Sequence, residues 1–256
     1  IGGGISSLIR ENTNLIWCES PGSVTMEVQD VPAIVLAAHE RGVAVALDNT
    51  YAAGVMFDAF YHGVDVSIQA LTKYNGGHSD LLLGSVSARD ESAYEMFGPV
   101  YRQLGLAVSP DDCSLALRGL QTLAVRLGQL ETSTLEVAYW LAENPHIATV
   151  YHPALPSCPG HGHWKRDFTG SASVFSFLLK DHFSAQQAQD FLNRLQIFKI
   201  GLSWGGVNSL AVVYPELYRP GQDFGGRLVR LNIGLEAPSD LIADLEAALA
   251  SLPSTG

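Results

Sequence analysis

This sequence lacks an apolar run long enough to cross a membrane, because polar or charged residues interrupt every stretch before it reaches about 18 residues. Basic residues are also scarce. There are 15 lysines and arginines against 26 aspartates and glutamates, a net charge of −11, and the basic residues form no block. We therefore expect neither a membrane nor a nucleic acid as a partner.

Cysteine is rare too. The chain has only Cys18, Cys113 and Cys158, far apart and without a CxxC pair, which argues against a disulfide framework or a cysteine metal site. They are typical of reduced thiols in a cytoplasmic protein. The chain begins at Ile1 without methionine and without the charged and apolar regions of a signal peptide. We expect it to be the interior of a longer protein.

What the sequence does have is a composition suited to a large core. Of the 256 residues, 47% are hydrophobic and 16% charged, which indicates a globular chain of one large or two ordinary domains with buried subunit contacts. The first part alternates strand and helix patterns, which predicts a mostly parallel, doubly wound α/β sheet. The predicted strands are residues 14–19, 43–47, 64–71 and 82–88, and the predicted helix covers residues 31–41.

The second part is richer in helix. Helices are predicted at residues 90–97, 111–117, 120–144, 184–195 and 239–252, and strands at residues 149–151, 173–179, 209–213 and 228–233. This pattern predicts a smaller α+β domain. We place the boundary near Gly119, so that residues 1–119 belong to a large cofactor-binding domain and residues 120–256 to a small domain entered through a long helix.

Two polar residues follow neighbouring predicted strands. Asp48 ends one apolar strand, and Lys73 follows the next, beside Thr72 and ahead of a glycine-rich turn. Ligands of doubly wound sheets bind beyond the carboxyl ends of the strands, so the two side chains should share a site. A lysine amine can bond to the aldehyde of pyridoxal 5'-phosphate, and a carboxylate can hold the proton on its ring nitrogen. The pair therefore predicts pyridoxal 5'-phosphate as the cofactor.

Several longer motifs extend this interpretation. They are Glu19-Ser-Pro-Gly-Ser-Val-Thr-Met-Glu27, Asp48-Asn-Thr50, Thr72-Lys-Tyr74, Gly77-His-Ser-Asp80, Arg118-Gly-Leu120, His152-Pro-Ala-Leu155, Trp164-Lys-Arg-Asp-Phe-Thr-Gly170, Ser203-Trp-Gly-Gly206 and Arg230-Leu-Asn-Ile-Gly-Leu235. In this order they resemble the Cys/Met-metabolism family of fold-type I enzymes dependent on pyridoxal phosphate. The resemblance covers essentially the whole chain.

The resemblance implies a role for six side chains. Lys73 would be the Schiff-base lysine, Asp48 the partner of the ring nitrogen, and Thr72 a phosphate ligand. The substrate's α-carboxylate would be bound by Arg230, in a pocket also lined by Ser203 and Trp204. The family also implies a homotetramer built from tight dimers, with each site shared between subunits.

Some positions depart from the family pattern. Many relatives have a phosphate-binding serine where this chain has Ala70, and an asparagine where it has Ser23. Family members also have an upstream phosphate loop, a stacking tyrosine and an arm reaching the neighbouring subunit, none of which occurs in these 256 residues. We therefore expect an incomplete active site and doubt activity of the chain alone.

The resemblance implies a carbon–sulfur β-lyase that cleaves cystathionine to homocysteine, pyruvate and ammonia in methionine biosynthesis. Relatives that act at the γ-carbon usually carry an acidic residue just before the serine, whereas this chain has Leu202 there. The β-acting pattern often has tyrosine, so a γ-acting enzyme remains an alternative. A non-catalytic fragment of such an enzyme is another.

Other interpretations of single residues also stay open. Arg230 could form a structural ion pair, Asp48 could cap a turn, and Trp204 could belong to the core. The pair His161 and His163 is reminiscent of metal ligands, but no third ligand lies near in sequence, so we expect a solvated loop and no metal site.

Overall fold

Residues 2–252 are described by a computed structural model of the chain. They form two sheets, the first of four strands in the order β1-β2-β3-β4. The first three strands are mutually parallel and β4 is antiparallel to β3. The strands are β1 (Leu15–Glu19), β2 (Ala44–Asp48), β3 (Val66–Ala70) and β4 (Gly84–Ala88), and helix α1 (Val31–His39) connects β1 to β2.

The second sheet has five strands in the order β5-β6-β9-β8-β7 and is antiparallel except for the pair β7 and β8. Its strands are β5 (Ile147–Tyr151), β6 (Val174–Leu179), β7 (Lys199–Ile200), β8 (Leu210–Tyr214) and β9 (Leu228–Asn232). The remaining helices are α2 (Glu91–Gln103), α3 (Pro110–Gln121), α4 (Leu123–Glu143), α5 (His161–Asp167), α6 (Ala185–Arg194) and α7 (Pro238–Ala250). Within residues 2–252, none of these helices combines the length and the apolarity of a membrane span.

Local sequence signals explain several element ends. The side chain of Asp30 accepts a hydrogen bond from the backbone N–H of Ala33 and caps α1, and Pro32 occupies the first turn, as predicted. Ser184 and Gln187 form a reciprocal capping box at the start of α6. Helix α2 continues to Gln103, although residue 97 was its predicted end.

The hydrophobic core has two main parts, and α4 packs into both. Leu127 and Leu130, from the first half of α4, lie in the cluster beneath the first sheet. Val137 and Leu141, from its second half, lie in the cluster of the second sheet. We propose on this basis that α4 joins two domains, with the boundary near Gly119.

One predicted loop is wrong. Residues 161–163 begin helix α5 rather than a solvated loop, and the His161 ring stacks on Trp164 at 5.7 Å between centroids. The turn before it depends on Gly160, whose φ of +83° is open to glycine at little cost. The helix is too short for a hydrophobic period to reveal it, since it has only 7 residues.

The sheet arrangement determines where the site forms. Asp48 is the last residue of β2, and it pairs in register with Ile68 of β3, two positions before that strand ends at Ala70. Lys73 follows in the turn beyond β3. Strand β9 of the second sheet brings Arg230 to the same region.

Candidate active site

A cleft of about 170 Å³ lies between the carboxyl ends of β2 and β3 and the second sheet. Asp48, Lys73, Trp204 and Arg230 all line it, together with the segment 19–26 that follows β1. The structure thus brings four of the six predicted site residues to one cavity. Polar groups converging on a concave, partly apolar pocket are the usual features of a small-molecule site.

Lys73 enters the cleft from a tight turn, in which its backbone N–H donates to the carbonyl of Ala70 at 3.0 Å. Its Nζ donates to the Oγ of Ser203 at 3.1 Å and lies 5.1 Å from the centre of the Trp204 ring. Burial lowers the pKa of the amine, and the nearby charge of Arg230 lowers it further. Both effects favour the neutral amine, which is the form that can act as nucleophile or base.

A buried arginine that the sequence did not single out holds this turn in place. The guanidinium of Arg126 donates to the carbonyls of Tyr74 at 2.7 Å and Gly119 at 2.8 Å. Gly77 lies directly against it with φ +74°, and a Cβ there would be 2.1 Å from Nη1 of Arg126. The glycine-rich stretch after Lys73 is therefore needed for close packing on Arg126.

Asp48 uses one carboxylate oxygen for local structure. Its Oδ1 accepts from the backbone N–H of Thr50 at 3.0 Å and from the Thr50 hydroxyl at 2.5 Å, while Thr50 Oγ1 accepts from the N–H of Ala70 at 2.9 Å. Its Oδ2 has no hydrogen-bond donor among residues 2–252. Asp48 therefore caps the turn and still has one oxygen for a ring N–H.

Arg230 is a buried cation that lacks an anionic partner among the residues that the structure describes. It is 8% exposed, and no carboxylate within the described residues 2–252 forms an ion pair with it. Its Nη2 donates to the carbonyl of Leu202, and its guanidinium lies 5.6 Å from the Tyr214 ring. Burial lowers its pKa. A buried guanidinium favours a bidentate anion, so a substrate carboxylate fits better than the structural ion pair that the sequence left open.

Ser203 and Trp204 reach the site on the loop between β7 and β8. Ser203 contacts Lys73 directly, as described above, but does not itself line the cleft. Trp204 lines the cleft on one side and packs against Tyr74 on the other, at 5.4 Å between ring centres. Both interpretations of Trp204, pocket wall and core residue, therefore apply.

The structure places Thr72 away from the cleft wall. Its hydroxyl donates to the carbonyl of Leu83 at 3.1 Å and accepts from the N–H of Leu83 at 3.0 Å, linking the chain after β3 to the segment before β4. The position where many relatives have serine, Ala70, does line the cleft but offers no hydroxyl. A phosphate role for Thr72 stays a prediction, without support from this geometry.

The segment after β1 forms a further wall that the sequence motif only outlined. Ser23 lines the cleft, and its hydroxyl donates to Oε1 of Glu19 at 2.5 Å. Val24 adopts φ +73°, which is unfavourable for a β-branched residue. Arg219, far along the chain, donates to the Ser23 carbonyl at 3.0 Å and holds the segment. No short-range pattern could have indicated Arg219, because the contact joins two distant loops.

The side chains present fit the reactive end of pyridoxal 5'-phosphate. The amine of Lys73 and an oxygen of Asp48 match its aldehyde and its ring nitrogen, and the indole of Trp204 provides an apolar wall. The cleft has few groups that could bind the phosphate of the cofactor. Among the described residues that line the cleft, the only cations are Lys73 and Arg230, which are assigned to other groups. No cluster of His, Cys, Asp and Glu suited to a metal occurs within residues 2–252.

Two of the named proteins similar to this chain are cystathionine lyases, and another, 40% identical over 97% of this chain, is the L-alanine/L-glutamate racemase of Wolbachia pipientis wMel. The cystathionine beta-lyase of Escherichia coli (strain K12) is 46% identical over 98% of this chain and 66% of its own length. The cystathionine gamma-lyase of Mus musculus is 34% identical over 96% of this chain and 63% of its own length. This chain thus spans slightly less than two thirds of the length of these curated relatives.

Solved structures confirm the predicted fold class, a fold-type I α/β arrangement. The crystal structure of cystathionine gamma-lyase from Lactobacillus plantarum, complexed with L-serine, matches with a TM-score of 0.88 and 28% identity. The match covers 97% of this chain and 66% of that one.

The family model described as "Cys/Met metabolism PLP-dependent enzyme" matches residues 2–250, which is nearly the whole chain. The family and the cofactor expected from Lys73 and Asp48 are thereby confirmed. The chain belongs to the Cys/Met-metabolism family of enzymes dependent on pyridoxal phosphate.

Proposed function

We propose that this chain is the lysine-bearing part of a carbon–sulfur β-lyase that cleaves L-cystathionine to L-homocysteine, pyruvate and ammonia in methionine biosynthesis. One observation carries the proposal. A half-buried lysine, a carboxylate with a free oxygen among the described residues, and a buried arginine without a carboxylate partner line a single cleft. The 46% identity to the cystathionine beta-lyase of Escherichia coli supports the choice of substrate.

Lys73 is the proton carrier in this proposal. When bound, pyridoxal 5'-phosphate withdraws electrons from the substrate's α-carbon, which acidifies the α-proton and allows a thiolate to leave from the β-carbon. The Nζ of Lys73 takes the α-proton, which requires a neutral amine. An ordinary lysine has a pKa of about 10.4, and burial and Arg230 lower it here. Ser203 keeps the Nζ in place by accepting its hydrogen bond.

The other residues bind and orient. Arg230 grips the substrate's α-carboxylate through the two-pronged geometry of its guanidinium, which fixes the α-carbon near Lys73. Asp48 offers Oδ2 to the proton of the ring nitrogen. Trp204 closes one wall of the cleft and excludes water from the amine.

Product analysis with cystathionine tests the β-assignment against the γ-acting alternative. Pyruvate with homocysteine supports β-cleavage, whereas 2-oxobutyrate with cysteine contradicts it. The sequence favours the β-route, since Leu202 replaces the acidic residue usual in γ-acting relatives. Identity to the mouse gamma-lyase is also lower, at 34%.

A non-catalytic fragment is the second candidate. The shortage of phosphate-binding groups in the cleft favours it. Mixing the chain with pyridoxal 5'-phosphate and recording the visible spectrum separates the two. A visible band that stays with the protein after free cofactor is removed by desalting, and that borohydride then removes, supports a working lysine. No band on the desalted protein at any cofactor concentration supports the fragment.

We further propose that the chain assembles into homotetramers made of tight dimers. Exposed apolar side chains on α2, on α3 and between them support an interface, namely Met96, Val100, Leu104, Leu106, Leu117 and Leu120. Light scattering coupled to size-exclusion chromatography tests this. A monomer at micromolar concentration would contradict it.

A further inference from the structure

Four hydrogen bonds, joined by the backbone of residues 203–205 and 73–74, form a closed ring that connects Lys73 to the second sheet through Asn232. Asn232 ends β9 and is 1% exposed. Its Oδ1 accepts from the backbone N–H of Gly205 at 2.8 Å and from the hydroxyl of Ser173 at 3.0 Å. The ring continues from Ser173 to the hydroxyl of Tyr74, the residue next to Lys73. It closes from Gly205 back to Ser203, which accepts from the amine of Lys73.

The hydrogen bonds from Asn232 through Ser173 to Tyr74 each have a single possible direction. The Nδ2 of Asn232 donates to the carbonyl of Asn208 at 3.0 Å, so the other amide atom must be the acceptor oxygen. Ser173 therefore gives its only hydroxyl proton to Asn232. The Tyr74 hydroxyl must then donate to Ser173 Oγ at 3.0 Å, and its oxygen accepts from the Ser173 N–H at 2.9 Å. A fully assigned buried network specifies one geometry.

The ring brings the turn 203–206 against the backbone of the lysine. Gly205 adopts φ +81°, and a Cβ on it would lie 3.1 Å from the Cβ of Lys73 and 3.0 Å from the N of Tyr74. Only glycine allows this approach. The position of Ser203 and Trp204 over the amine therefore depends on where the N–H of Gly205 is held.

We propose that Asn232 is a positioning residue that anchors the turn 203–206 and so keeps Ser203 and Trp204 on the amine of Lys73. Asn232 does not line the cleft, so it acts through its hydrogen bonds to this turn and to Ser173. It lies two residues after Arg230 on β9, and alternate residues of a strand share a face. Strand β9 thus carries on one face both Arg230, which is proposed to bind the substrate, and Asn232, which holds the turn beside Lys73. This inference rests on the role proposed for Lys73.

Replacing Asn232 with leucine tests the anchor, because leucine is similar in size but has no acceptor. Hydrogen exchange of the full chain, followed by mass spectrometry, reports on the turn. We expect exchange within residues 203–208 to speed up at least tenfold, with α6 and α7 unchanged. The matched control is Asn193→Leu at an exposed position on α6, which should leave the turn protected.

A second readout reports on the amine itself. Trace acylation across a pH series in protein stripped of cofactor gives the apparent pKa of Lys73, with Lys165, Lys180 and Lys199 as internal references. In Asn232→Leu the released turn exposes the amine and also takes Ser203 away from it. Burial is the main cause of the lowered pKa of Lys73, so its loss outweighs the lost hydrogen bond and the pKa should rise toward theirs. The charged groups that line the cleft with it, Glu19, Asp48 and Arg230, are unchanged.

Unchanged exchange at residues 203–208, or an unchanged Lys73 profile, would overturn the inference. If Asn232→Leu fails to fold, Ser173→Ala removes the two hydrogen bonds that the Ser173 hydroxyl makes with Asn232 and Tyr74. It keeps the bond from the Gly205 N–H to Asn232 and should therefore produce smaller changes of the same sign. Exchange needs no cofactor. Faster exchange at residues 203–208 together with a shifted titration of Lys73 therefore supports the anchoring role of Asn232, even if the chain binds no pyridoxal 5'-phosphate. Failure to bind the cofactor would contradict only the proposed function.

Discussion

The Nζ of Lys73 donates a 3.1 Å hydrogen bond to the Oγ of Ser203, which lies 130 positions further along the chain. Lys73 comes from a turn of the first sheet, whereas Ser203 comes from a loop of the second. The amine is therefore held only when both sheets are packed together. This contact also makes the protonation of Lys73 sensitive to residues distant in sequence.

Ser203→Ala should move the acidic limb of the pH profile of kcat to lower pH, because kcat reports on the substrate complex, in which the amine of Lys73 is free to act as the base. The serine oxygen accepts from the ammonium form of Lys73 and stabilises it, so its removal lowers the pKa of the amine further. A hydrogen bond to a charged group contributes about 1.5 kcal/mol or more, which corresponds to roughly one pH unit. Ser203→Thr keeps the hydroxyl and serves as the control. If the acidic limb of Ser203→Ala lies at the same pH as in the wild type, the hydrogen bond from Lys73 to Ser203 does not influence the pKa of the amine.

Arg230→Lys should lower kcat/KM by roughly 100-fold, because lysine cannot grip a carboxylate with two parallel bonds and charge-assisted hydrogen bonds contribute about 3 kcal/mol. The charge is retained, so the pKa of Lys73 should stay lowered. Arg230→Gln removes the charge as well, and the pKa of Lys73 should then rise. Steady-state kinetics across pH separate the two effects. Arg194→Lys, on the exposed surface of α6, is the control, and equal behaviour of the Arg230 and Arg194 variants would exclude a carboxylate role.

His152 should make the fold sensitive to acid. It is fully buried, its Nδ1 accepts from the N–H of Ala154 at 3.2 Å, and burial lowers its pKa to about 3. Between pH 6.5 and 3 the unfolded chain therefore binds a proton that the folded protein does not. The free energy of unfolding should fall by about 1.4 kcal/mol for each pH unit below 6.5 from this residue alone.

Urea denaturation at pH 7, 6 and 5 checks this expectation in the wild type and in His152→Asn, which keeps an acceptor for Ala154 but does not titrate. The variant should lose stability at pH 7 and show a shallower decline toward pH 5. If the free energy of unfolding falls equally with pH in both proteins, His152 takes up its proton in the folded state as readily as in the unfolded chain.

Arg126→Met should destabilise the protein by about 3 kcal/mol or more. The substitution leaves the carbonyl of Tyr74 without a donor among residues 2–252, and an unpaired buried group costs about 1–3 kcal/mol. It also removes the charge-assisted hydrogen bond to the Gly119 carbonyl, which keeps the N–H of Thr122, and such a bond contributes about 1.5 kcal/mol or more. Urea denaturation measures the change. The exposed Arg102→Met, on α2, provides a matched control that should stay within about 0.5 kcal/mol of wild type. Equal stability of both variants would show that Arg126 is not needed for the lysine turn.

The sequence allowed the chemistry-bearing residues to be predicted but not their supports. Asp48 and Lys73 could be identified because each follows an apolar strand, and the ends of such strands meet at one edge of a sheet. The role of Arg230 was predicted only through the resemblance to the family, and the structure places this residue in the buried strand β9. The predictions for Asp48 and Lys73 need only local patterns and one rule of topology.

The supporting residues depend on contacts that no local pattern encodes. Arg126 and Asn232 look like ordinary helix and strand residues, and they act through carbonyls and amides far from them in sequence. Thr72 has the right chemistry for a phosphate ligand, but the pairing of its segment with Leu83 uses its hydroxyl. Helix α5 was missed because it is too short to show a hydrophobic period.

The identity of the cofactor-bearing residue tests the account most directly. The chain is mixed with pyridoxal 5'-phosphate, reduced with borohydride, digested, and its peptides are analysed by mass spectrometry. Because the chain has four lysines, every alternative can be seen in the same digest. We predict a pyridoxyl adduct confined to Lys73 and absent from Lys73→Ala. A stoichiometric adduct on Lys165, Lys180 or Lys199, or one that persists in Lys73→Ala, would contradict the account.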